Sequence, residues 1–243
     1  MAIPLGELNP NYFIQDMRVG LWLVAISFLL LFAKDFFYRS RKAELENQKK
    51  LFSGFAIFFT LYAIARVCFM IADYGFIHIN GIPLPEFQFG RDWAGGFYFN
   101  IFWQIGTLFG VIGFTTLVFY IENYLLEKKT KLIFSIIGLG LIGLVSALGL
   151  IVRNLVYIAI AFMAAVPVIL YFYYANLSEG DIKKKATICG IALSFLLGGI
   201  GLDSKLMQNV LFPLNIPTKI IGTLLVILGL FLFNHEYGAS SGA

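Results

Sequence analysis

The sequence predicts an all-α membrane protein: a seven-transmembrane-helix bundle with the N-terminus outside, the C-terminus cytoplasmic and a small outer hairpin between helices 2 and 3. Three observations predict this fold. Apolar residues make up 59% of the 243 residues and charged residues only 13%, whereas a soluble domain carries roughly 25% charged residues. The chain contains seven long apolar runs. Its lysines and arginines concentrate in alternate connections between these runs.

Each apolar run predicts one helix, because about 20 apolar residues span the roughly 30 Å hydrocarbon core of a bilayer. No basic segment precedes the first run and no A-x-A-like cleavage site follows it, so we expect it to be retained as helix 1. We predict one domain over residues 1–237 and a short disordered tail over residues 238–243. The runs cover residues 19–33, 52–74, 97–124, 132–152, 155–175, 186–202 and 219–233.

The charge asymmetry predicts the orientation, because short loops rich in Lys and Arg stay on the cytoplasmic side. Five basic residues flank the other ends of the helices: Arg18, Arg91, Arg153, Lys205 and Lys219. We therefore expect a multi-pass protein of the cell membrane whose basic loops face anionic lipids at the cytoplasmic face. The connections after helices 1, 3 and 5 carry twelve basic residues: Lys34, Arg39, Arg41, Lys42, Lys49, Lys50, Lys128, Lys129, Lys131, Lys183, Lys184 and Lys185.

The connection between helices 2 and 3 predicts the hairpin. Residues 77–84 place the pair Asn80-Gly81 between alternating apolar residues, which is a hairpin signal. Pro83 cannot donate a backbone hydrogen bond, so the second strand is expected to be short or an edge. We predict a small lid over the outer mouth of the bundle.

Arg66 is the main candidate for a ligand-binding residue. An ionisable side chain within a membrane helix costs several kcal/mol unless it pairs or reaches the interface, so it should face the bundle interior. Helix 3 carries polar residues at helical spacing at a similar depth. An alternative interpretation is a structural hydrogen-bond cluster that locks helices 2 and 3 together. The candidate ligand-binding residues are Arg66, Asp73, Asn100, Trp103, Gln104 and Thr107.

Small residues at four-residue spacing predict close helix contacts, because they let backbones approach in lipid. We interpret them as packing positions within the bundle, and a seam between copies of the chain is the alternative. Glu122, near the cytoplasmic end of helix 3, is expected to face the headgroups. The predicted packing residues are Gly106, Gly110, Gly143, Ala147, Ala186, Gly190, Ser194 and Gly198.

Several chemistries are disfavoured. The chain has only two histidines, His78 and His235, both outside the predicted spans, so two histidines cannot hold a haem within the bundle, and catalytic zinc usually needs three protein ligands. Motifs of zinc proteases, α/β-hydrolases and P-loop proteins are missing. Cys68 and Cys189 fall inside predicted spans and are expected to be buried and apolar in character. We expect no metal, no cofactor, no nucleic-acid partner and no catalytic activity.

The topology resembles that of microbial rhodopsins, and Arg91-Asp92-Trp93 before helix 3 is similar to their third-helix motif. That family needs a lysine in the middle of helix 7 for the retinal Schiff base. Here Lys219 stands at the outer end of that helix. The sequence is therefore not assigned to the family.

Two functional hypotheses remain. The first is a receptor-like or sensory module that binds a small or lipidic ligand in its outer half and signals through a separate partner protein. The second is a structural or scaffold subunit of a membrane complex, as a homo-oligomer or with another membrane or cytoplasmic protein. A transporter is less favoured, because ion coupling usually needs carboxylates near the midplane, and the carboxylates here lie near helix ends.

Overall fold

The computed structural model describes residues 10–71, 96–148, 153–202 and 218–239, and the regular secondary structure in these ranges is helical. This confirms the all-helical fold, and each predicted apolar run overlaps one helix. The last α-helical turn of α3 is followed by a wider π-helical turn, Ile121–Leu125. The helices are α1 Pro10–Lys42, α2 Glu46–Met70, α3 Gly96–Tyr120, α4 Ile133–Leu148, α5 Arg153–Leu177, α6 Gly180–Leu202 and α7 Thr218–Ala239.

Membrane embedding is supported by the length and composition of the helices. Four segments are long and apolar enough to cross a bilayer: Val19–Lys42, Glu46–Met70, Ile101–Leu125 and Gly180–Leu202. The other three helices carry shorter apolar stretches of 10–17 residues. The protein is therefore a helical protein embedded in a membrane.

Six of the helices form a ring. In order around it, α1 packs on α2, α2 on α3, α3 on α5, α5 on α6, α6 on α7 and α7 again on α1. Helix α4 lies outside this ring, against α3 and α5. Its buried positions, Ser135, Gly138 and Val145, form one narrow stripe, while Ile136 and Leu139 are 64% and 63% exposed. The exposed apolar face of α4 is suited to contact with lipid.

Phe233 of α7 is the centre of the core. Its fully buried ring has its centroid 5.8 Å from that of Phe36 in α1 and 4.8 Å from that of Phe55 in α2. The rings of Phe59 and Tyr171 are each 6.3 Å away. Tilted and edge-on aromatic pairs contribute about 0.5–1.5 kcal/mol each beyond the burial of their area. One side chain thus joins four helices.

The backbones of α6 and α7 are in close contact at two glycines. A Cβ atom added at Gly229 would lie 2.7 Å from the carbonyl oxygen of Ala192, and one added at Gly199 would lie 2.8 Å from the backbone nitrogen of Val226. Real Cβ atoms do not approach backbone atoms so closely, so neither position accepts a side chain without a shift of a helix.

The ends of α1, α3 and α7 and the start of α2 lie at the same end of the bundle. Arg39 Nη2, near the end of α1, donates to Asn234 Oδ1 in the last turns of α7 at 3.1 Å. Lys50, near the start of α2, has its Nζ 5.3 Å from the ring centre of Tyr124, just beyond α3. The basic residues of the α1–α2 and α3–α4 connections therefore lie at the same end of the molecule.

Candidate functional site

Arg66 stacks on an aromatic side chain. Its guanidinium carbon lies 3.5 Å from the ring centre of Trp22 in α1, 5.5 Å from that of Tyr62 and 6.0 Å from that of Phe69. Trp22 is buried, with 3% of its surface exposed. A desolvated cation over a tryptophan face gains about 2 kcal/mol or more. This aromatic surrounding is how the fold accommodates a positive charge within a membrane helix.

The local helix geometry explains part of this arrangement. Tyr62, Arg66 and Phe69 recur at helical spacing and so share one face of α2. Trp22 comes from a different helix, and the contact between α1 and α2 brings it over the guanidinium. Sequence reasoning found Arg66 and missed Trp22. Nothing in the local sequence marks Trp22, because its role depends on which helices become neighbours.

Gly106 of α3 packs against α2 beside Arg66. A Cβ added at Gly106 would lie 3.0 Å from the carbonyl oxygen of Ala65, so Thr107 and Arg66, the residues that follow these two in opposite chain directions, lie within about one turn of each other in height. Trp103 and Thr107 are buried. The hydroxyl of Thr107 donates to the carbonyl oxygen of Trp103 at 2.8 Å, within its own helix.

Gln104 is turned toward α4. Its Nε2 donates to the carbonyl oxygen of Val145 at 3.4 Å. Asn100 lies in the second turn of α3. Asp73 and the predicted hairpin over residues 77–84 lie outside the described residues. The grouping of all six candidates into one ligand site therefore stays a prediction.

The predicted packing residues divide into two groups. Gly106 contacts α2, as above, and Gly190 contacts the ring of Phe172 in α5, with a Cβ added there 3.1 Å away. Ala186 is buried, and Ser194 Oγ donates to the carbonyl oxygen of Gly190 in its own helix. The second group shows no close packing: a Cβ added at Gly110, Gly143 or Gly198 would have no neighbouring atom from another helix within 4 Å, and Ala147 is exposed.

Glu122 is a site that sequence reasoning missed. The residue is fully buried, so the headgroup-facing position expected for it is wrong. Its Oε1 accepts a hydrogen bond from Thr130 Oγ1 at 2.6 Å and from the N–H of Phe134 at 3.3 Å. Its Oε2 accepts one from the N–H of Ser135 at 2.8 Å and a short one from the Ser135 hydroxyl. In the sequence, the only indication of this site was the presence of Thr130 and Ser135 shortly after Glu122.

Helix α4 is held at both ends by polar residues of the preceding helix. Glu122 accepts N–H groups in the first turn of α4, and Gln104 donates to a carbonyl in its last turn. These backbone groups have no partner within a helix, and a carboxylate at a helix N-terminus also interacts favourably with the helix dipole. Polar contacts at its two ends thus fasten this outer helix to α3.

The residues between the π-helical turn and α4, numbers 126–132, are named here the α3–α4 loop. Four of them have positive φ angles although none is glycine: Glu127 at 49°, Lys128 at 63°, Lys131 at 52° and Leu132 at 57°. The left-handed conformation costs such residues roughly 1–2 kcal/mol each. Within the loop, Thr130 donates to the Glu122 carboxylate and so ties the loop to the interior of the bundle.

Among the described residues, no group of three His, Cys, Asp or Glu side chains could hold a metal ion. Cys68 and Cys189 are both buried, and no disulfide joins them. No protein-family model matches the chain, and comparison with curated proteins and with solved structures finds no match. The geometry of the chain's own residues is therefore the basis for its proposed function.

Proposed function

We propose that the chain crosses the membrane seven times, with the N-terminus outside and the basic end of the bundle in the cytoplasm. Two observations support this topology. Lys and Arg are strongly biased toward alternate connections, and cytoplasmic loops carry that bias. The ends of α1, α3 and α7 lie at one end of the bundle. When successive helices alternate in direction, the odd-numbered helices all end on the same side of the membrane.

Cysteine labelling tests the topology. The substitutions Gln48→Cys and Asn80→Cys are introduced one at a time into the Cys68→Ala/Cys189→Ala background. A membrane-impermeant maleimide is expected to label residue 80 in intact cells and residue 48 only after the cells are opened. The reverse pattern would overturn the orientation, and labelling of both residues in intact cells would overturn the span count.

We further propose that the protein is a receptor-like or sensory module whose ligand binds in the outer half of α1, α2 and α3. The observation that carries this proposal is the position of Arg66, within a segment suited to span the membrane and stacked on Trp22. An ionisable residue inside a membrane helix is by default a functional-site candidate. Arg66 lies in the last two turns of α2, far from the basic end where α2 begins.

The chemistry around Arg66 favours a small or lipidic ligand with an apolar body and a polar head. Trp22, Tyr62 and Phe69 surround the guanidinium with aromatic surface. Ligand pockets are typically built in this way, from mostly apolar walls and a few polar groups that fix orientation. A separate cytoplasmic or membrane protein would receive the signal.

Native mass spectrometry of the protein released from nanodiscs tests the ligand site. We expect a discrete adduct on the wild-type protein that is lost in Arg66→Ala and in Arg66→Met, which keeps more of the side-chain volume. Arg41→Ala is the matched control, since Arg41 is exposed at the opposite end of the bundle. Retention of the adduct in a folded Arg66 variant, or equal loss in the control, would remove the support for this site.

The alternative proposal is a scaffold subunit of a membrane complex. Gly143 and Ala147 on α4 and Gly198 on α6 present small residues to the outside of the described bundle, and such residues favour helix association in lipid. Purification in mild detergent discriminates the two functions. A homo-oligomer or a stable protein partner that dissociates in Gly143→Leu supports the scaffold, and a clean monomer argues against it.

A further inference from the structure

The α3–α4 loop, residues 126–132, exposes three lysines on an anchored backbone. Lys128, Lys129 and Lys131 are all exposed. Thr130, between them, is half-buried, and its hydroxyl donates to the buried carboxylate of Glu122 at 2.6 Å. The lysines thus flank a residue that is fastened to the interior of the bundle.

The backbone of the loop is unusual for a flexible connection. Lys128 and Lys131 themselves adopt left-handed conformations, with φ of 63° and 52°. Non-glycine residues keep such conformations only when their surroundings over-determine them. Here the N–H of Lys128 donates to the carbonyl oxygen of Glu122, and the N–H of Lys131 donates to that of Lys128, both at 2.8 Å. Side-chain and backbone bonds together fix the position of the lysine Cα atoms.

The loop directly follows a segment suited to span the membrane, Ile101–Leu125. Its depth is therefore that of lipid headgroups. Tyr124, at the end of that segment, has an aromatic ring of the kind enriched at membrane interfaces. The ammonium group of Lys50, which also pairs with Glu46 at 3.2 Å, lies 5.3 Å from this ring, so the start of α2 is in the same region.

The other lysine cluster at this end of the bundle is built differently. Lys183, Lys184 and Lys185 are exposed residues in the first turns of α6. Consecutive residues on a regular helix point in directions about 100° apart. These three side chains therefore spread around the helix, and no buried acidic side chain is seen to anchor them among the described contacts. They carry equal charge, but their helix directs the three side chains apart.

We propose that the α3–α4 loop is a preorganised binding site for the phosphate headgroup of an anionic phospholipid. This inference rests on the membrane topology of the proposed function and deepens it, by assigning one specific lipid site within the basic end. Lysine ammonium groups bind phosphate as point charges, and each basic residue near an anionic surface adds to the attraction. A fixed frame reduces the conformational entropy lost on binding.

The test uses the full chain in nanodiscs of phosphatidylcholine and phosphatidylglycerol, with native mass spectrometry to measure the phosphatidylglycerol retained by the released protein. We expect Lys128→Gln/Lys129→Gln/Lys131→Gln to weaken retention by about fivefold or more. Lys183→Gln/Lys184→Gln/Lys185→Gln removes the same charge and is expected to keep wild-type retention. Equal weakening in both variants would mean that charge alone attracts the lipid, and would overturn the site.

Two further variants test the frame with all lysines intact. Glu122→Gln and Thr130→Val each disturb the bond between the loop and the interior, and Thr130→Val is the milder change if Glu122→Gln folds poorly. Both are expected to weaken phosphatidylglycerol retention. Wild-type retention in the folded variants would overturn preorganisation.

Two arms separate this inference from other outcomes. In the first arm, inorganic phosphate is added to the protein in nanodiscs of phosphatidylcholine alone. If phosphate adducts form and need the loop lysines, the ligand of the site is a soluble anion and the lipid proposal is overturned. Phosphatidylglycerol occupies both leaflets of a nanodisc, so an inverted orientation in the cysteine labelling leaves the lipid result interpretable. The topology and the headgroup site can therefore fail independently.

Discussion

Glu122, on the π-helical turn after α3, accepts hydrogen bonds from both the backbone N–H and the side-chain hydroxyl of Ser135, which is thirteen residues further along the chain. The two residues belong to consecutive helices. Their contact turns a surface connection into a rigid corner and fastens a helix that lies outside the main ring. Because the carboxylate is fully buried, the corner depends on complete hydrogen bonding of that group.

Replacement of Glu122 is expected to lower the free energy of unfolding, and the loss should grow with the number of carboxylate oxygens removed. Glu122→Leu leaves buried N–H and hydroxyl groups without an acceptor and is expected to cost about 3 kcal/mol or more. Glu122→Gln keeps one acceptor oxygen and is expected to cost about 1–2 kcal/mol. Denaturant unfolding in detergent, followed by circular dichroism, measures both. Glu127→Gln, at an exposed position of the loop, is the control and should unfold like the wild type.

The Arg66–Trp22 stack predicts an energetic coupling between α1 and α2. We expect a double-mutant cycle of Trp22→Leu and Arg66→Met to give a coupling energy of about 1–2 kcal/mol, because a desolvated cation loses its ring. The same unfolding assay measures all four proteins. Strictly additive effects would show that the two side chains have no measurable interaction energy.

Thr115 predicts a substitution that does not destabilise. Its buried hydroxyl has no hydrogen-bond partner among the described residues. Thr115→Val has nearly the same shape and is expected to leave stability unchanged or to raise it by up to about 1 kcal/mol. Thr107→Val is the matched comparison, since it removes a hydrogen bond to Trp103 and should lower stability by about 0.5 kcal/mol. A clear loss of stability in Thr115→Val would contradict the expectation.

Two glycine-to-alanine changes should have opposite effects. Gly229→Ala forces a methyl group against the backbone of α6 and is expected to cost about 1–3 kcal/mol. Gly143→Ala adds a methyl group where no atom lies within 4 Å and should be neutral or stabilising by up to about 1 kcal/mol, because alanine has the higher helix propensity. Melting temperatures in the same detergent compare the two. Similar melting temperatures would show that α6 and α7 are more loosely packed than described.

The helices could be predicted because a bilayer imposes a length and a composition on any segment that crosses it. The apolar run over residues 186–202, for example, ends at the same residue as α6. Contacts between helices were less predictable. Four-residue spacing marked Gly198, whereas Gly199 meets α7, since spacing alone does not fix the rotation of a helix about its axis.

The candidate site shows the same division. Arg66 could be found from the sequence because a charge in an apolar run is rare. Trp22 could not be found, because it is one aromatic residue among 26 Phe, 12 Tyr and 3 Trp. Glu122 was visible as a carboxylate, but its burial depends on a loop that turns back over it. Pairings across helices arise from side-chain fit, which a single sequence does not display.

The ring arrangement also bears on how the protein is made. Ribosomes deliver α1 through α6 to the membrane before α7, yet Phe233 of α7 packs among Phe36, Phe55 and Tyr171. Until α7 arrives, these three aromatic rings border a gap, and α1 and α6 each lack a neighbour. A chain that ends before α7 therefore leaves three aromatic rings without their shared partner and two helices with one side uncovered.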